Sequence, residues 1–313
     1  MRGYVLRRVL ATIPVMLFVA IVTFSLLYFT PGDPAEIMAG DEATHEQVEA
    51  IRTRLGLDRP MPERLGIFLW DIVRGDLGDS VFSRNSVMTL IGQRFEPTLS
   101  IAIFATIIAV TMGLPLGVIA AWRADTWIDR VIMVYAVIGL ALPAFFLGFL
   151  IMWGFGLQLR IFPVAGFASL SDGLVEYLKF LVLPSLAASN TFMSLIIRMT
   201  RASTLEVLRQ DYIRTARAKG LSENMVLVRH AVRNAALPIL TVIGFGIAFL
   251  ISGLVVVESV FAVPGLGRLL IDAIARRDYP VIQGVVLVIS ALYVLVNLAI
   301  DLLYSYADPR VRY

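Results

Sequence analysis

Of 313 residues only two are histidine and none is cysteine, so the side chains that most often serve as bases, nucleophiles and metal ligands are scarce. His45 and His230 both fall in the loops expected between the long apolar runs. An intramembrane serine–histidine hydrolase has no base here, and a membrane metal site has no imidazole. No glycine-rich loop ending in Lys-Ser or Lys-Thr occurs, so the chain has no P-loop with which to cradle ATP. What the sequence does offer is a basic cluster, Asp211-Tyr212-Ile213-Arg214-Thr215-Ala216-Arg217-Ala218-Lys219-Gly220-Leu221. Its residue types suit docking rather than catalysis. Asp211 is expected to N-cap a short helix over Tyr212–Lys219, and Gly220 to end it in a left-handed conformation. Ala216 and Ala218 would let another backbone approach, while Arg214, Arg217 and Lys219 would offer charge to an acidic groove. Ser222 is expected to cap a second helix running to about Asn234. A basic stretch held at an anionic leaflet also explains the arginines, but not a short capped helix stopped by glycine.

The elements that must position this cluster are apolar. Hydrophobic residues make up 58% of the chain and charged ones 16%, against about 45–50% and about 25% in soluble domains. That balance excludes a soluble enzyme, a disordered regulator and a nucleic-acid binder. A helix needs about 20 apolar residues to cross the hydrocarbon, because its backbone polar groups must be satisfied internally. Six charge-free runs of 18 to 28 residues meet this: 9–29, 97–122, 131–158, 180–197, 235–257 and 280–300. The first is too long for a signal-peptide core, and no small-x-small cleavage site follows it, so it is expected to stay as a helix. The fold class expected is an all-α polytopic membrane protein with six transmembrane helices.

Arginine placement orients the spans. With the N-terminus cytoplasmic, segments 1–8, 123–130, 198–234 and 302–313 face inward and carry 15 basic against 6 acidic residues. The long segment 31–96 then faces outward with 7 basic and 12 acidic residues. This is the positive-inside bias, with both termini cytoplasmic. Within 31–96, Thr44 and Gln47 fit a capping box ahead of a helix bearing Val48, Ile51 and Leu55. Gly56 stands where a left-handed C-terminal residue is wanted, and Leu57 can fold back on that helix. The run Gly75-Asp76-Leu77-Gly78-Asp79-Ser80 reads as turns. This region could be a packing cap or a docking surface for an extracytoplasmic partner. Between Glu258 and Tyr279, the turn Pro264-Gly265-Leu266-Gly267 precedes a short amphipathic helix expected to lie in the interface.

The six runs contain no Asp, Glu, Lys, Arg or His. Ion-coupled carriers use ionisable groups or broken helices at mid-membrane, so such a carrier is disfavoured. A structural or sensory membrane subunit is the third class that composition leaves open. Inside the runs, Gly113 and Gly117, and Gly244, Ala248 and Ser252, stand at i+4 spacing and are expected to bring helices close together. Pro14, Pro115 and Pro143 free carbonyls and allow kinks.

These residues resemble the permease subunits of ATP-binding-cassette (ABC) importers of the peptide/nickel type, which take dipeptides, oligopeptides, glutathione or nickel chelates. The resemblance is carried by Pro31-Gly32-Asp33-Pro34, Leu55-Gly56-Leu57-Asp58 and Gly75-Asp76-Leu77-Gly78. It continues through Asp211–Gly220, Arg233-Asn234-Ala235, Pro264-Gly265-Leu266-Gly267-Arg268 and Asp278-Tyr279-Pro280-Val281. It implies the type I ABC importer permease fold in a bacterial inner membrane. Residues 1–30 would be an N-terminal transmembrane helix and 31–96 an extracytoplasmic region. Residues 97–306 would form a five-helix core with a cytoplasmic coupling loop at 203–236, and 307–313 a tail. The family's Glu-Ala-Ala positions hold Arg214, Thr215 and Ala216, and sixteen residues separate Gly220 from Leu237, a long spacing usual in the peptide branch. The resemblance also implies a non-catalytic subunit without a cofactor of its own, in contact with membrane lipid and not with nucleic acid. Its implied partners are a second similar permease, two ATPase subunits that bind ATP and Mg, and a substrate-binding protein. The helix around Tyr212–Lys219 would be the one that sits in the ATPase cleft.

Overall fold

The computed structural model describes residues 2–29, 33–40, 43–54 and 56–307. Pro31, Gly32, Leu55 and the tail beyond Ala307, all used in the sequence reading, lie outside the described residues. Among the described residues the chain is helical, with one isolated bridge between Asp79 and Ser86. Among the described residues five helices are long and apolar enough to cross a membrane: α1 (Arg2–Phe29), α5 (Val87–Trp122), α8 (Leu174–Leu208), α11 (Ala236–Val260) and α13 (Tyr279–Ala307). The third run, 131–158, departs from expectation. In place of one span over 131–158, α6 (Trp127–Ala141) and α7 (Ala144–Ile151), the latter continued by a π-helical stretch Met152–Gln158, meet at an angle of 110°. The cause is Leu142-Pro143. Proline has no N–H and disfavours helical geometry in the residue before it, and Leu142 is extended at φ −76°, ψ 122°. Counted as one, the bent pair brings the total to six. Pro14 and Pro115, also expected as kink sites, sit inside unbroken helices.

Several helices outrun their apolar runs. The apolar run 180–197 lies within α8, which has 35 residues and is therefore about 52 Å long at 1.5 Å per residue, against about 30 Å of hydrocarbon. Once outside the apolar layer, charged residues cost the helix nothing. Glu176 and Lys179, one turn apart, pair at 2.7 Å in its first turns.

The chain forms two compact units. The first comprises residues 97–263 and 296–307, and within it α8 packs against α6, α7 and α11. Ile101, Ala105 and Ala109 of α5, Ile132 and Ala136 of α6, and Leu250 and Leu254 of α11 share one apolar core with Ile196 and Ile197 of α8. The close approaches fall at small residues. A Cβ on Gly113 would sit 2.9 Å from Ile196 Cγ2, and one on Gly117 2.5 Å from Thr200 Cβ. On α11, a Cβ on Gly244 would meet Ile300 Cγ2 at 2.6 Å, and Ala248 is buried. Ser252 does not follow them and is exposed. Each i+4 step on a 3.6-residue helix drifts about 40°, which by Ser252 has carried the row off the seam. Gly246, whose Cβ would collide with the Phe192 ring, and Leu254 hold the seam instead.

The second unit comprises residues 2–96 and 264–295. Its small helices are α2 (Pro34–Ala39), α3 (His45–Arg54), α4 (Met61–Arg74) and α12 (Leu266–Arg276). The capping box at α3 has both arms, with Gln47 Oε1 accepting from Thr44 N at 2.9 Å and Thr44 Oγ1 from Gln47 N at 3.4 Å. Gly56 is left-handed at φ 61°, and Leu57 N donates to Arg52 O at 2.9 Å. The sequence reading passed over α4, which packs Phe68 on Phe24 of α1 with ring centroids 5.4 Å apart. The turns at 75–80 are pinned by Asp278, whose buried carboxylate accepts from Ser80 Oγ at 2.5 Å and Val81 N at 3.3 Å.

Candidate functional site

The basic cluster folds as a short helix, α9 (Asp211–Ala218), followed by one turn, α10 (Glu223–Met225), and a π-helical stretch Val226–Val232 that leads to α11. Gln210, not Asp211, occupies the N-cap position. Asp211 is already the first helical residue, where a carboxylate still favours the positive end of the helix dipole. It pairs with Arg214 one turn on at 3.3 Å, both largely exposed. The C-terminus ends as the sequence implies. Gly220 is left-handed at φ 80°, its N–H donates to Arg217 O at 2.9 Å, and Leu221 N reaches Ala216 O at 3.3 Å. Ser222 takes the N-cap position of α10 without a side-chain cap bond.

α9 is fastened along its length. Ile213 and Ala216 are buried against Val226, with Leu221 and the α8 residues Val207 and Leu208 around them. At the first turn, Asn234 Nδ2 donates to Tyr212 Oη at 3.0 Å and to His230 O at 2.7 Å. At the last, Arg217 forms a two-pronged pair with Glu223 at 2.9 and 3.1 Å. Side chains from α8 and from the segment leading into α11 therefore hold one short helix as a block. Ala216 was expected to face a partner, but it faces inward, because helical spacing puts it one turn from Ile213 on the same side. Tyr212, Arg214, Thr215, Ala218 and Lys219 make up the exposed side, and Arg217 is engaged by Glu223.

The sequence reading missed the polar contacts inside the first unit. Asp129, buried in the first turn of α6, accepts from Arg201 Nε and Nη2 of α8 at 2.6 Å each and from Asp125 N at 3.0 Å. Deeper between the same helices, Asn190 of α8 joins Tyr135 and the Gly139 carbonyl, each at 2.9 Å. Glu258, fully buried, accepts from Thr98 Oγ1 at 2.6 Å. Asp129 and Glu258 border the apolar runs at their ends, so a count of charges inside the runs steps over them. Their signal was position: a carboxylate within two residues of a span boundary.

Comparison with known proteins fits this architecture. The model of the family described as binding-protein-dependent transport system inner membrane component matches residues 113–313, and its N-terminal companion matches residues 1–102. The chain is 46% identical over 310 residues to the "Probable peptide ABC transporter permease protein y4tP" of Sinorhizobium fredii, covering 99% of each. It is 43% identical over 313 residues to the glutathione transport system permease protein GsiC of Salmonella choleraesuis, covering all of both. Among solved structures, the inward-facing MetNI methionine ABC transporter shares the fold, with a TM-score of 0.58 at 16% identity over 71% of this chain and 97% of that one.

Proposed function

The chain belongs to the binding-protein-dependent transport system inner membrane component family, and on that premise we propose that it is half of a peptide pathway driven by partner ATPases. The other half is a second, similar permease. Two ATPase subunits bind ATP and Mg on the cytoplasmic side, and a substrate-binding protein delivers cargo to the 31–96 region. Both termini are cytoplasmic, in keeping with the arginine distribution. Residues 97–306 act as the core and 203–236 as the coupling loop. Peptide cargo is supported by the names of full-length relatives, which specify peptide and glutathione transport.

The observation that carries the coupling role is the mounting of α9. A segment that receives force from an ATPase must not absorb the displacement itself. α9 has its apolar side sunk against α8 and the α10 stretch, and its two ends tied by Asn234 and Glu223. Its other side presents Tyr212, Arg214 and Lys219 to solvent. Closure of the ATPases on ATP would move this block, and with it the ends of α8 and α11. Arg214→Glu reverses charge on a side chain 76% exposed, so it should leave folding and membrane insertion intact. Binding-protein-stimulated ATP hydrolysis and uptake in proteoliposomes should both collapse. Gly220→Pro should do the same by a different route, because proline cannot adopt φ 80°. Normal uptake in the two variants would remove α9 from the coupling role.

A further inference from the structure

Pro143 leaves a debt that another helix settles. In an unbroken helix the N–H of residue 143 would donate to the carbonyl of Gly139, four residues earlier, and proline has no N–H to give. The donor comes instead from α8: Asn190 Nδ2 lies 2.9 Å from Gly139 O. Asn190 is itself aligned, because its Oδ1 accepts from Tyr135 Oη at 2.9 Å. Gly139 is what permits the approach, since a Cβ there would collide with Ser194 Oγ and stand 3.2 Å from Asn190 Oδ1. The Ser194 hydroxyl, one turn beyond Asn190, is fully buried and has no hydrogen-bond partner among the described residues. Beyond the break the environment changes. α6 is tied to α8 by Asp129–Arg201 and by Asn190, whereas α7 packs on both α8 and α11, meeting the latter's end at Gly148, where a Cβ would sit 3.2 Å from Phe261 Cε2 and from Val260 Cγ1.

We propose that the α6–α7 break is a hinge of the transport cycle and that Asn190 is its pin, a positioning residue that supplies the hydrogen bond Pro143 cannot. The inference rests on the transporter reading above. Side-chain replacement of a backbone donor is a bond that can be released without unravelling a helix. A main-chain hydrogen bond at the same place would hold α6 and α7 as one rod. When α7 moves relative to α6, the Gly139 carbonyl can leave Asn190 and take the idle Ser194 hydroxyl, so that this acceptor has a donor in both arrangements.

The test uses the whole complex, with partner permease, ATPases and binding protein, reconstituted in nanodiscs. This chain has no cysteine, so Val134→Cys and Trp153→Cys place spin labels on exposed sites either side of the break. With cysteine-free partners, the label separation is read without nucleotide and after ATP–vanadate trapping. A hinge gives two distances in the parent complex. Asn190→Leu should abolish the difference and lower uptake by about tenfold, the scale of one stranded buried acceptor, while ATP hydrolysis continues. Asn190→Ser, which keeps a donor, should restore part of the change. Ser194→Ala should spare the nucleotide-free distance and blur the trapped one. In a Pro143→Ala background, which returns an N–H to Gly139, Asn190→Leu should have little further effect. That double variant should also assemble if Asn190→Leu alone does not. One unchanging distance in the parent complex would overturn the proposal, as would an equal Asn190→Leu defect in both backgrounds. The distances are read without cargo, so failure of the hinge and failure of the peptide reading give different results.

Discussion

Two arginine–carboxylate pairs in the same unit are chemically alike and differ in depth. Asp129 and Arg201 join α6 to α8 with side chains 4% and 25% exposed, and both bonds are 2.6 Å long. Glu223 and Arg217 close the end of α9 with side chains 54% and 43% exposed, at 2.9 and 3.1 Å. In the first pair the carboxylate has been taken out of water and is also bonded by the Asp125 amide, so its partner has little solvent to fall back on. In the second, water competes for every bond. The lesson is that a motif's chemistry does not fix its structural weight. The buried pair sets where α6 stands on α8, and the exposed pair trims the orientation of a helix that apolar burial already holds.

The largest effect should come from breaking one side of the buried pair. Asp129→Asn leaves the Arg201 guanidinium without its counter-charge and should cost about 3 kcal/mol, the usual scale for stripping one partner from a buried pair. Reversible unfolding in mixed detergent measures this. The double change Asp129→Leu with Arg201→Met should recover most of the loss, because removing both charges also removes the desolvation. A single and a double variant of equal stability would show that the pair is no deeper in effect than the one on α9.

A smaller effect separates steric from conformational demands at two glycines, one in each region. At Gly139 a methyl would run into Ser194 Oγ, so Gly139→Ala should cost about 2 kcal/mol, and Ser194→Ala in the same chain should relieve part of it. At Gly220 no atom lies within 4 Å of an added Cβ, and only the left-handed φ of 80° resists it. Gly220→Ala should therefore cost about 1 kcal/mol, with no relieving partner. Thermal unfolding of the four variants reads both numbers. Equal rescue by Ser194→Ala at the two sites would refute the distinction.

What the sequence made legible follows the range of the forces involved. Local signals worked: apolar run length marked the spans, the Thr44–Gln47 spacing marked a cap, and Gly220 marked the end of α9. Pro143 was visible as a break site but not as a 110° bend, because Pro14 and Pro115 carry the same local signal inside unbroken helices. The Asp129–Arg201 pair spans 72 residues and Asn190–Gly139 spans 51, so neither has a local spacing to read. The inward turn of Ala216 was legible in principle, since Ile213 one turn earlier is the apolar residue of that helix. Reading the alanine as a partner-facing surface gave residue type more weight than helical phase.

The smallest effect is the one that defines the exposed pair. Arg217→Ala, Glu223→Ala and their double variant form a cycle whose coupling should be about 0.5 kcal/mol, since both side chains keep about half their surface in water. Raising salt toward 1 M shortens the screening length to about 3 Å and should erase that coupling, while leaving the Asp129–Arg201 coupling nearly intact. The same cycle can be read in ATP-driven uptake. If α9 is held chiefly by Ile213 and Ala216, as their burial implies, each single variant should keep most of its transport and lose it no faster in high salt than the parent. A salt-dependent collapse of uptake in the parent, absent from the double variant, would mean that the exposed pair holds α9 in place, and the division of labour between the two pairs would have to be reversed.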